Sequence, residues 1–453
     1  MAQFVIQGAQ AVVSGALEAT TTAESADIRV RDGLIAEVAP GLVPAPDEEV
    51  FDATGCVVYP GWVNTHHHLF QSVLKAVPAG LNEQLFEWLG AVPYPRLMRI
   101  SEEELETAAL IGLSELLLSG TTTCADHHYV YHADMDPEMA DVLFDVAERL
   151  GIRLVLCRGG STEAGRHPNY PNDLVSESVD GMIRDVARLV ERHHDPSPTA
   201  MRRVVMAPTT PTFSVAPDAL RELAAAGRSM GLRLHTHLSE TRDYVDYCRE
   251  VHGMTPVQFC AEHDWLDEDV WFAHMVHVDD TELPLLARSG AGVAHCPQSN
   301  CRLGSGVARI PEMARRGIPV SVGVDGAASN EAADMLQETH AAWLVHRAVG
   351  GAADVTVDQV VHWGSRGGAR ILGLDGVGLI QAGYAADLAI YDLSQPRHFG
   401  LHAPATAPVV SGGSASLRYL FVDGVPRVRD GAIPGLDLAE LRARAHRAVQ
   451  RLT

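Results

Sequence analysis

The chain has 453 residues, 46% of them hydrophobic and 21% charged, a composition typical of a globular protein that excludes a disordered one. Its formal charge of −23 repels phosphate backbones, so we expect no nucleic-acid partner. We also expect no membrane partner, because its apolar runs fall far short of the roughly 18 residues that a membrane span requires.

Two further features bear on the cellular compartment. The first residues, MAQFVIQGAQAVVSG, place no basic segment before the apolar stretch, which predicts no secretion signal. The seven cysteines form no Cys-x-x-Cys pair, so neither a disulfide framework nor a zinc ribbon is indicated. We expect reduced thiols and a cytoplasmic location.

Residues 1–57 predict short β-strands. The stretches QFVIQGAQAVV, ADIRVRDGLIAEVAP and EEVFDATGCVV alternate in polarity or run apolar, with Gly and Asp at the turns. Residues 376–453 return to the same pattern in GVGLIQAGYAADLAIYDL and SLRYLFVDGVPRVRDG, and then predict a terminal helix. We expect the two chain ends to form one small β-sandwich domain.

Residues 58–375 predict a barrel. Eight short runs rich in Val, Ile and Leu alternate with amphipathic stretches such as SEEELETAALIGLSELLLSG, in which Ser101 and Glu104 form a capping-box pattern. Eight strands that alternate with helices are typical of a (β/α)8 barrel. The predicted fold class is therefore α/β: a (β/α)8 TIM barrel inserted between the two halves of the β-sandwich domain.

Polar side chains cluster where the predicted barrel strands end. These ends converge on one mouth, where the chemistry of this fold takes place. The clusters are His66-His67-His68 after strand 1, Asp126-His127-His128 after strand 2, His235, His237 and Glu240 at strand 5, His274 and His277 at strand 6, His295 at strand 7 and Asp325 at strand 8.

Strand alternation selects the metal ligands among them. Residues i and i+2 of a strand point the same way, so His66 and His68 can share one ion while His67 faces outward or into packing. His237 and Asp325 can complete the set from strands 5 and 8. Three imidazoles and one carboxylate suit one divalent ion, Zn²⁺ or Fe²⁺, with a position open for water.

Each of these residues also has an ordinary interpretation. A lone His-x-His is more often packing than a ligand pair, His274 alone could be a core histidine, and Asp325 before a glycine could be a turn residue. Their convergence on one barrel mouth favours the metal site.

Five ordered motifs carry a resemblance to a known family. PGWVNTHHH, HTHLSE, FAHMVH, HCPQSN and GVDGAASN resemble the strand motifs of the amidohydrolase superfamily, and LIQAGYAADLAIYD resembles the return into its small β domain. Within the superfamily the chain resembles aminohydrolases of heterocycles. The members that deaminate isoxanthopterin, a pterin, look closest, and those that deaminate 8-oxoguanine come next.

The resemblance implies catalytic roles for three residues. Asp325 would accept the proton of the attacking water, Glu240 would protonate a ring nitrogen, and His274 would hydrogen-bond the attacking oxygen. Glu240 must be neutral at that moment, so we expect burial to raise its pKa. The expected reaction is hydrolytic deamination of a pterin or purine-like small molecule, with isoxanthopterin giving the corresponding lumazine and ammonia.

The substrate contacts rest on weaker signals. Gln71 could read a ring amide with its donor and acceptor, and Arg158 could hold a carbonyl or oxyanion, with a structural ion pair as the alternative. His127 is expected near the site. Aromatic residues that could stack on a flat ring, or simply pack, are Phe86, Trp88, Tyr129 and Tyr131. We expect His235, His277 and His295 to orient the ligands.

The sequence also bears on the number of metal ions, the oligomeric state and the alternative functions. Dinuclear relatives bridge two ions with a carboxylated lysine on strand 4, but the single lysine here, Lys75, follows strand 1, which predicts a mononuclear site. Relatives are commonly oligomeric, so we expect a homo-oligomer. The alternatives within the class are an 8-oxoguanine deaminase and a guanine- or triazine-type aminohydrolase, and His274 disfavours a triazine chlorohydrolase. The alternative from another class is a non-catalytic binding barrel, which the complete set of ligands, Glu240 and His274 disfavours.

Overall fold

The computed structural model describes residues 3–17, 22–132, 135–163, 176–413 and 415–453. Its strands before the barrel are β1 (Gln3–Gln7), β2 (Ala11–Val13), β3 (Thr22–Glu24), β4 (Asp27–Arg31), β5 (Leu34–Ala39), β6 (Glu49–Asp52) and β7 (Cys56–Pro60). The barrel strands are β8 (Trp62–His68), β9 (Thr121–His128), β10 (Arg153–Arg158), β11 (Arg202–Met206), β12 (Leu234–Leu238), β13 (Val270–His274), β14 (Gly292–His295), β15 (Val320–Val322) and β16 (Asp325–Gly326). Three strands follow the barrel: β17 (Leu388–Asp392), β18 (Ser416–Val422) and β19 (Val425–Arg429).

The central sheet is parallel throughout and closes on itself. Its order runs from β8 through β9 to β15, each strand beside the next in sequence, and β16 returns to pair with β8. The strands β15 and β16 are two pieces of one eighth strand, separated by Gly323 and Val324. A Cβ atom at Gly323 would lie 2.7 Å from the Cβ of His66, so the glycine lets the eighth strand pass close to the first. The predicted barrel is confirmed.

The described residues form sixteen α-helices, several of which connect the parallel barrel strands as crossovers on the outside of the barrel. They are α1 (Leu85–Ala91), α2 (Tyr94–Leu97), α3 (Glu102–Ser119), α4 (Asp141–Leu150), α5 (Val179–His193), α6 (Pro217–Ser229), α7 (Arg242–His252), α8 (Pro256–Glu262), α9 (Leu283–Ser289), α10 (Pro297–Arg302), α11 (Ile310–Arg315), α12 (Met335–Gly350), α13 (Val357–His362), α14 (Gly368–Ile371), α15 (Ala407–Val410) and α16 (Leu438–Leu452). The capping box predicted at Ser101 and Glu104 is present at the start of α3.

Two sheets pack face to face, one built from N-terminal strands alone and the other from strands of both chain ends. One sheet has the order β5-β4-β1-β6, and the other has the order β19-β18-β17-β7-β2-β3. Their facing side chains share one buried apolar cluster, in which Phe4 stacks on Phe421 with 4.8 Å between ring centroids. The β-sandwich built from both chain ends is thereby confirmed.

Two details differ from the pattern read in the sequence. The apolar run of residues 56–68 forms two strands, because β7 pairs with β17 in the sandwich and only β8 enters the barrel. The terminal helix α16 packs on the barrel helix α3, where Arg451 pairs with Glu104 at 2.7 Å and Arg444 with Glu106 at 2.5 Å. The domain limits at residues 57 and 375 stay a prediction.

Among the described residues, the helices include none with the length and apolar character needed to cross a membrane.

Candidate active site

The predicted metal ligands meet at the carboxyl end of the barrel. His66 and His68 lie two residues apart on β8, His237 lies on β12, and Asp325 opens β16. The Nε2 atoms of His68 and His237 are 3.2 Å apart, and Asp325 Oδ1 lies 3.2 Å from Nε2 of His68 and 3.5 Å from Nε2 of His66. Four side chains from three separate strand ends therefore present one nitrogen or oxygen each to a common point.

The Nδ1 atoms of the three imidazoles are engaged elsewhere. His68 Nδ1 donates to the carbonyl of His127 at 2.7 Å, and His237 Nδ1 donates to that of Thr209 at 2.7 Å. His235 donates its Nδ1 hydrogen to the carbonyl of Trp271, so its Nε2 accepts from Nδ1 of His66 at 2.9 Å. These bonds leave the lone pair of each Nε2 facing the common point.

This arrangement fits a cation. Two Nε2 lone pairs at 3.2 Å repel each other unless a positive charge lies between them, and Nε2 of His66 is buried without a hydrogen-bond partner among the described residues. Burial lowers the pKa of His66 and of His237 well below the usual value, which favours the neutral imidazole that binds a metal. A divalent metal ion would satisfy all four groups.

Asp325 is held in place by its own surroundings. Its Oδ2 accepts from Ser299 at 2.5 Å and from Ser329 at 3.1 Å, and its Oδ1 accepts from the backbone N–H of Gly326 at 2.7 Å. Burial alone would raise the pKa of Asp325, but the neighbouring imidazoles of His66 and His68 outweigh it and hold the pKa well below its usual value. The carboxylate is thus ionised, as a metal ligand must be.

The backbone at two site residues is in the left-handed region. His274 has φ 73° and Asp325 has φ 63°. Non-glycine residues adopt this region rarely and at a cost, and such residues cluster at functional sites. His274 is the last residue of β13 and Asp325 is the first of β16, and both side chains line the cavity at the barrel mouth.

Glu240 and His274 lie together beside the ligands. Nε2 of His274 is 3.6 Å from Oε2 of Glu240, and both side chains are buried. Burial raises the pKa of Glu240 to about 7, so the carboxyl can carry a proton near neutral pH. The expectation of a raised pKa for Glu240 is confirmed in direction.

A cavity opens directly above this cluster. The predicted catalytic and ligand side chains form its polar end, namely His68, His237, Glu240, His274 and Asp325. Its remaining wall is largely apolar and aromatic, formed by Leu85, Phe86, Trp88, Leu89, Tyr94, Tyr129, Phe213, Tyr244 and Leu303, together with Gln71, Thr209, Thr210 and Ser329. A mostly apolar space with a few polar groups at one end suits a small aromatic ring.

Two predicted substrate contacts face this cavity. Gln71 donates from Nε2 to the hydroxyl of Tyr129 at 3.0 Å, while its buried Oε1 has no partner among the described residues. A Cβ at Gly326 would lie 1.9 Å from that Oε1, so only glycine permits this placement of Gln71. Trp88 lines the cavity and donates its indole N–H to the carbonyl of Ala328 at 3.1 Å.

Two other predicted contacts lie elsewhere. Arg158 does not line the cavity, because its guanidinium is bound by Asp185 at 2.9 Å and by Glu177 at 2.7 Å and stacks over Tyr131. This placement matches the alternative of a structural ion pair, and we assign Arg158 to the scaffold. His127 lies behind the ligands, with its ring centroid 4.6 Å from that of His237, and also stays outside the cavity wall.

Of the three histidines expected to orient the ligands, one hydrogen-bonds a predicted ligand and two bond elsewhere. His235 holds His66, as described above. His277 instead binds the carbonyl of Ser305 at 2.9 Å, and His295 pairs with His346 at 3.0 Å, so neither contacts a metal ligand through these bonds. His67 turns its Nδ1 to the carbonyl of Asp325 at 2.6 Å, in agreement with a packing role.

Lys75 is placed away from the ligands. Its ammonium pairs with Glu115 at 2.5 Å on the outside of the barrel, and β11 carries no lysine. The structure thus offers no lysine to bridge a second ion at this site.

Sequence reasoning missed several residues that shape the site. Ser299, Asn300 and Ser329 bind Asp325 or His274, and Phe213 and Tyr244 complete the cavity wall. The three polar residues belong to the quoted motifs HCPQSN and GVDGAASN, which were a usable signal. Phe213 follows strand 4 in a loop and Tyr244 lies in the first turn of α7, and nothing in the sequence separates either from ordinary packing.

A parallel barrel with a sandwich from both chain ends, and a His₃Asp cluster at its mouth, defines a class of metal-dependent hydrolases. The model of the amidohydrolase family matches residues 57–427, and the chain belongs to that family. The family prediction is confirmed, and with it the prediction of a hydrolase that acts on carbon–nitrogen bonds.

The chain is also similar to individual enzymes of this family. The chain is 51% identical over 442 residues to an isoxanthopterin deaminase from an unknown prokaryotic organism, covering 94% of this chain and 92% of the relative. It is 39% identical to an 8-oxoguanine deaminase of Pseudomonas aeruginosa, covering 92% and 93%. Among solved structures it resembles an atrazine chlorohydrolase of Arthrobacter aurescens complexed with zinc, with TM-score 0.93, 28% identity and coverage of 98% and 100%.

Proposed function

We propose that this protein hydrolytically deaminates isoxanthopterin, giving the corresponding lumazine and ammonia. The observation that carries the proposal is the meeting of Glu240 and His274 with the four ligands at one end of an aromatic-walled cavity. The 51% identity to an isoxanthopterin deaminase supports a pterin as the substrate.

We propose one metal ion, zinc, held by His66, His68, His237 and Asp325. Four neutral or anionic donors of this kind suit Zn²⁺, with Fe²⁺ as the alternative. The ion supplies one chemical function: it lowers the pKa of water to about 7.

The protein's own groups carry the proton transfers. Asp325 accepts the proton of the attacking water, because its Oδ1 faces the same point as the imidazoles. His274 turns Nε2 to the cavity and hydrogen-bonds the attacking oxygen. Glu240 delivers a proton to the ring nitrogen beside the amino-bearing carbon, for which its pKa of about 7 is suited.

The ring is bound by the remaining wall. Gln71 presents the free Oε1 to a ring N–H, and its position is fixed by Tyr129. Trp88 and Phe86 supply flat apolar surface. Asp325 then passes its proton to the leaving amine and ammonia departs. Glu240 regains a proton from the hydroxyl that becomes the carbonyl, so atoms and protons balance with one water consumed.

The test is a substrate panel with metal-loaded protein. Isoxanthopterin, pterin, guanine, 8-oxoguanine and hydroxyatrazine are incubated separately, and ammonia release is followed together with the ultraviolet spectrum. We expect turnover of isoxanthopterin to exceed that of the others. Activity confined to 8-oxoguanine would replace the proposal with the second candidate, which the 39% identity to an 8-oxoguanine deaminase favours. Ammonia from none of them would refute the proposed reaction class.

A further inference from the structure

The first turn of helix α10 contacts the site through consecutive residues. This short helix follows β14 and begins at Pro297, whose fixed φ suits a first helical position. Gln298, Ser299 and Asn300 come next, and each bonds to a different part of the barrel mouth. None of the three is a metal ligand or lines the cavity.

Asn300 fixes the orientation of His274. Its side-chain Oδ1 accepts from Nδ1 of His274 at 3.0 Å, and both residues are almost fully buried. Because Nδ1 is engaged on this side, Nε2 is turned toward Glu240 and the cavity. A histidine ring has a broad second torsion, so a fixed partner on one nitrogen is what sets where the other points.

Ser299, the preceding residue, binds the neighbouring catalytic group. Its hydroxyl donates to Oδ2 of Asp325 at 2.5 Å, which leaves Oδ1 directed at the imidazoles. The first turn of α10 thus orients two residues with proposed catalytic roles. They are His274, assigned to hydrogen-bond the attacking oxygen, and Asp325, assigned to accept the proton of the attacking water.

The turn itself is clamped by a buried carboxylate. Glu338, on α12, is fully buried, and its Oε1 accepts from the backbone N–H of Gln298 at 3.0 Å. Its Oε2 accepts from Nε2 of the same glutamine at 2.5 Å. A buried carboxylate is costly unless its oxygens are satisfied, and Gln298 satisfies both.

We infer that Asn300 is a positioning residue for His274 and that Glu338 acts on the same reaction step through Gln298 and the turn of α10. This inference rests on the proposed function, since it concerns how that site is held in shape. Neither Asn300 nor Glu338 touches the substrate space. Their effect is therefore on the chemical step and not on binding.

Three variants of the metal-loaded full-length enzyme test it, with the substrate that the wild type turns over best. Asn300→Ala removes the acceptor, and we expect kcat to fall 10- to 100-fold, the usual loss for a partner that orients a catalytic histidine. KM and the metal content should stay within about threefold of the wild type, an order-of-magnitude tolerance for a residue outside the cavity. Asn300→Asp keeps an oxygen at the same place and should recover most of the lost kcat.

The third variant, Glu338→Gln, loses the Oε2 acceptor for Nε2 of Gln298 and should also lower kcat. If it acts through the turn of α10, the double variant with Asn300→Ala loses less than the product of the two single losses. Gln450→Ala, on the exposed face of α16, is the matched control and should leave kcat unchanged.

Each outcome either supports or overturns the positioning roles proposed for Asn300 and Glu338. Wild-type kcat in Asn300→Ala, or an Asn300→Asp variant as impaired as Asn300→Ala, overturns the positioning role of Asn300. If the kcat loss in the double variant equals the product of the two single losses, the proposed effect of Glu338 through Gln298 is overturned. If Asn300→Ala does not fold, the kcat of Asn300→Asp is compared with that of Glu338→Gln. We expect a lowered kcat only in Glu338→Gln. A wild type without deaminase activity refutes the proposed function instead, which is a separate outcome.

Discussion

Replacement of Glu240 by glutamine tests the proton donor of the proposed reaction. Glutamine has nearly the same shape and cannot protonate the ring. Burial raises the pKa of Glu240 from 4.5 to about 7, which corresponds to roughly 3 kcal/mol against the ionised form. At pH 7 about half of the carboxyl groups are then protonated, compared with well under about 1% at the ordinary pKa.

We expect Glu240→Gln to lower kcat by about 10²- to 10⁴-fold, the usual contribution of general acid catalysis, with metal content unchanged. In the wild type, kcat should fall as pH rises through about 7, because the donor loses its proton, and this limb should disappear in the variant. Steady-state ammonia release from pH 5.5 to 9 measures both effects. More than about half of wild-type kcat in the variant at pH 7 would refute the role of Glu240.

The same substitution has a consequence for stability. A folded-state pKa raised above the unfolded value means that the cost of folding grows as pH rises from 4.5 toward about 7 and stays at its full value above. Neutral glutamine removes that cost, so the melting temperature of Glu240→Gln should exceed that of wild type at pH 8 and match it near pH 4.5. Equal melting temperatures at both pH values would contradict the assignment.

Three further predictions follow from single contacts. His235→Phe removes the acceptor that orients His66, so metal affinity should fall 10- to 100-fold in a competition titration with a chelator. Gly326→Ala drives a methyl group into Gln71, so KM should rise with little change in metal content, as measured by steady-state kinetics and metal analysis. Lys75→Met should leave the metal content unchanged, because the ammonium of Lys75 binds only Glu115 among the contacts described; a lost ion would contradict a lysine-free site.

The barrel and the meeting of the four proposed ligands at its mouth were predictable because they depend on local periodicity. Apolar runs alternate with helical stretches, and the ends of parallel strands meet at one mouth regardless of the loops. His66 and His68 followed from the alternation of side chains along β8, and His237 and Asp325 followed from their place at later strand ends. These inferences need no knowledge of tertiary packing.

The features that sequence reasoning missed depend on contacts between distant segments. The eighth strand is split before Asp325, where Gly323 passes close to His66, and no sequence pattern signals the left-handed backbone at His274. Arg158 carries the residue type of a substrate contact, but only the fold reveals Asp185 and Glu177 around its guanidinium. The bond between Asn300 and His274 joins residues 26 positions apart, and no periodicity signals it.

The central claim, that one divalent ion held at the barrel mouth is required for deamination, is tested most directly by metal analysis of the purified enzyme alongside its activity. The account predicts about one zinc or iron ion per chain, loss of activity when a chelator removes the ion, and recovery when one equivalent is returned. Full activity in protein that contains less than about a tenth of an ion per chain would contradict it.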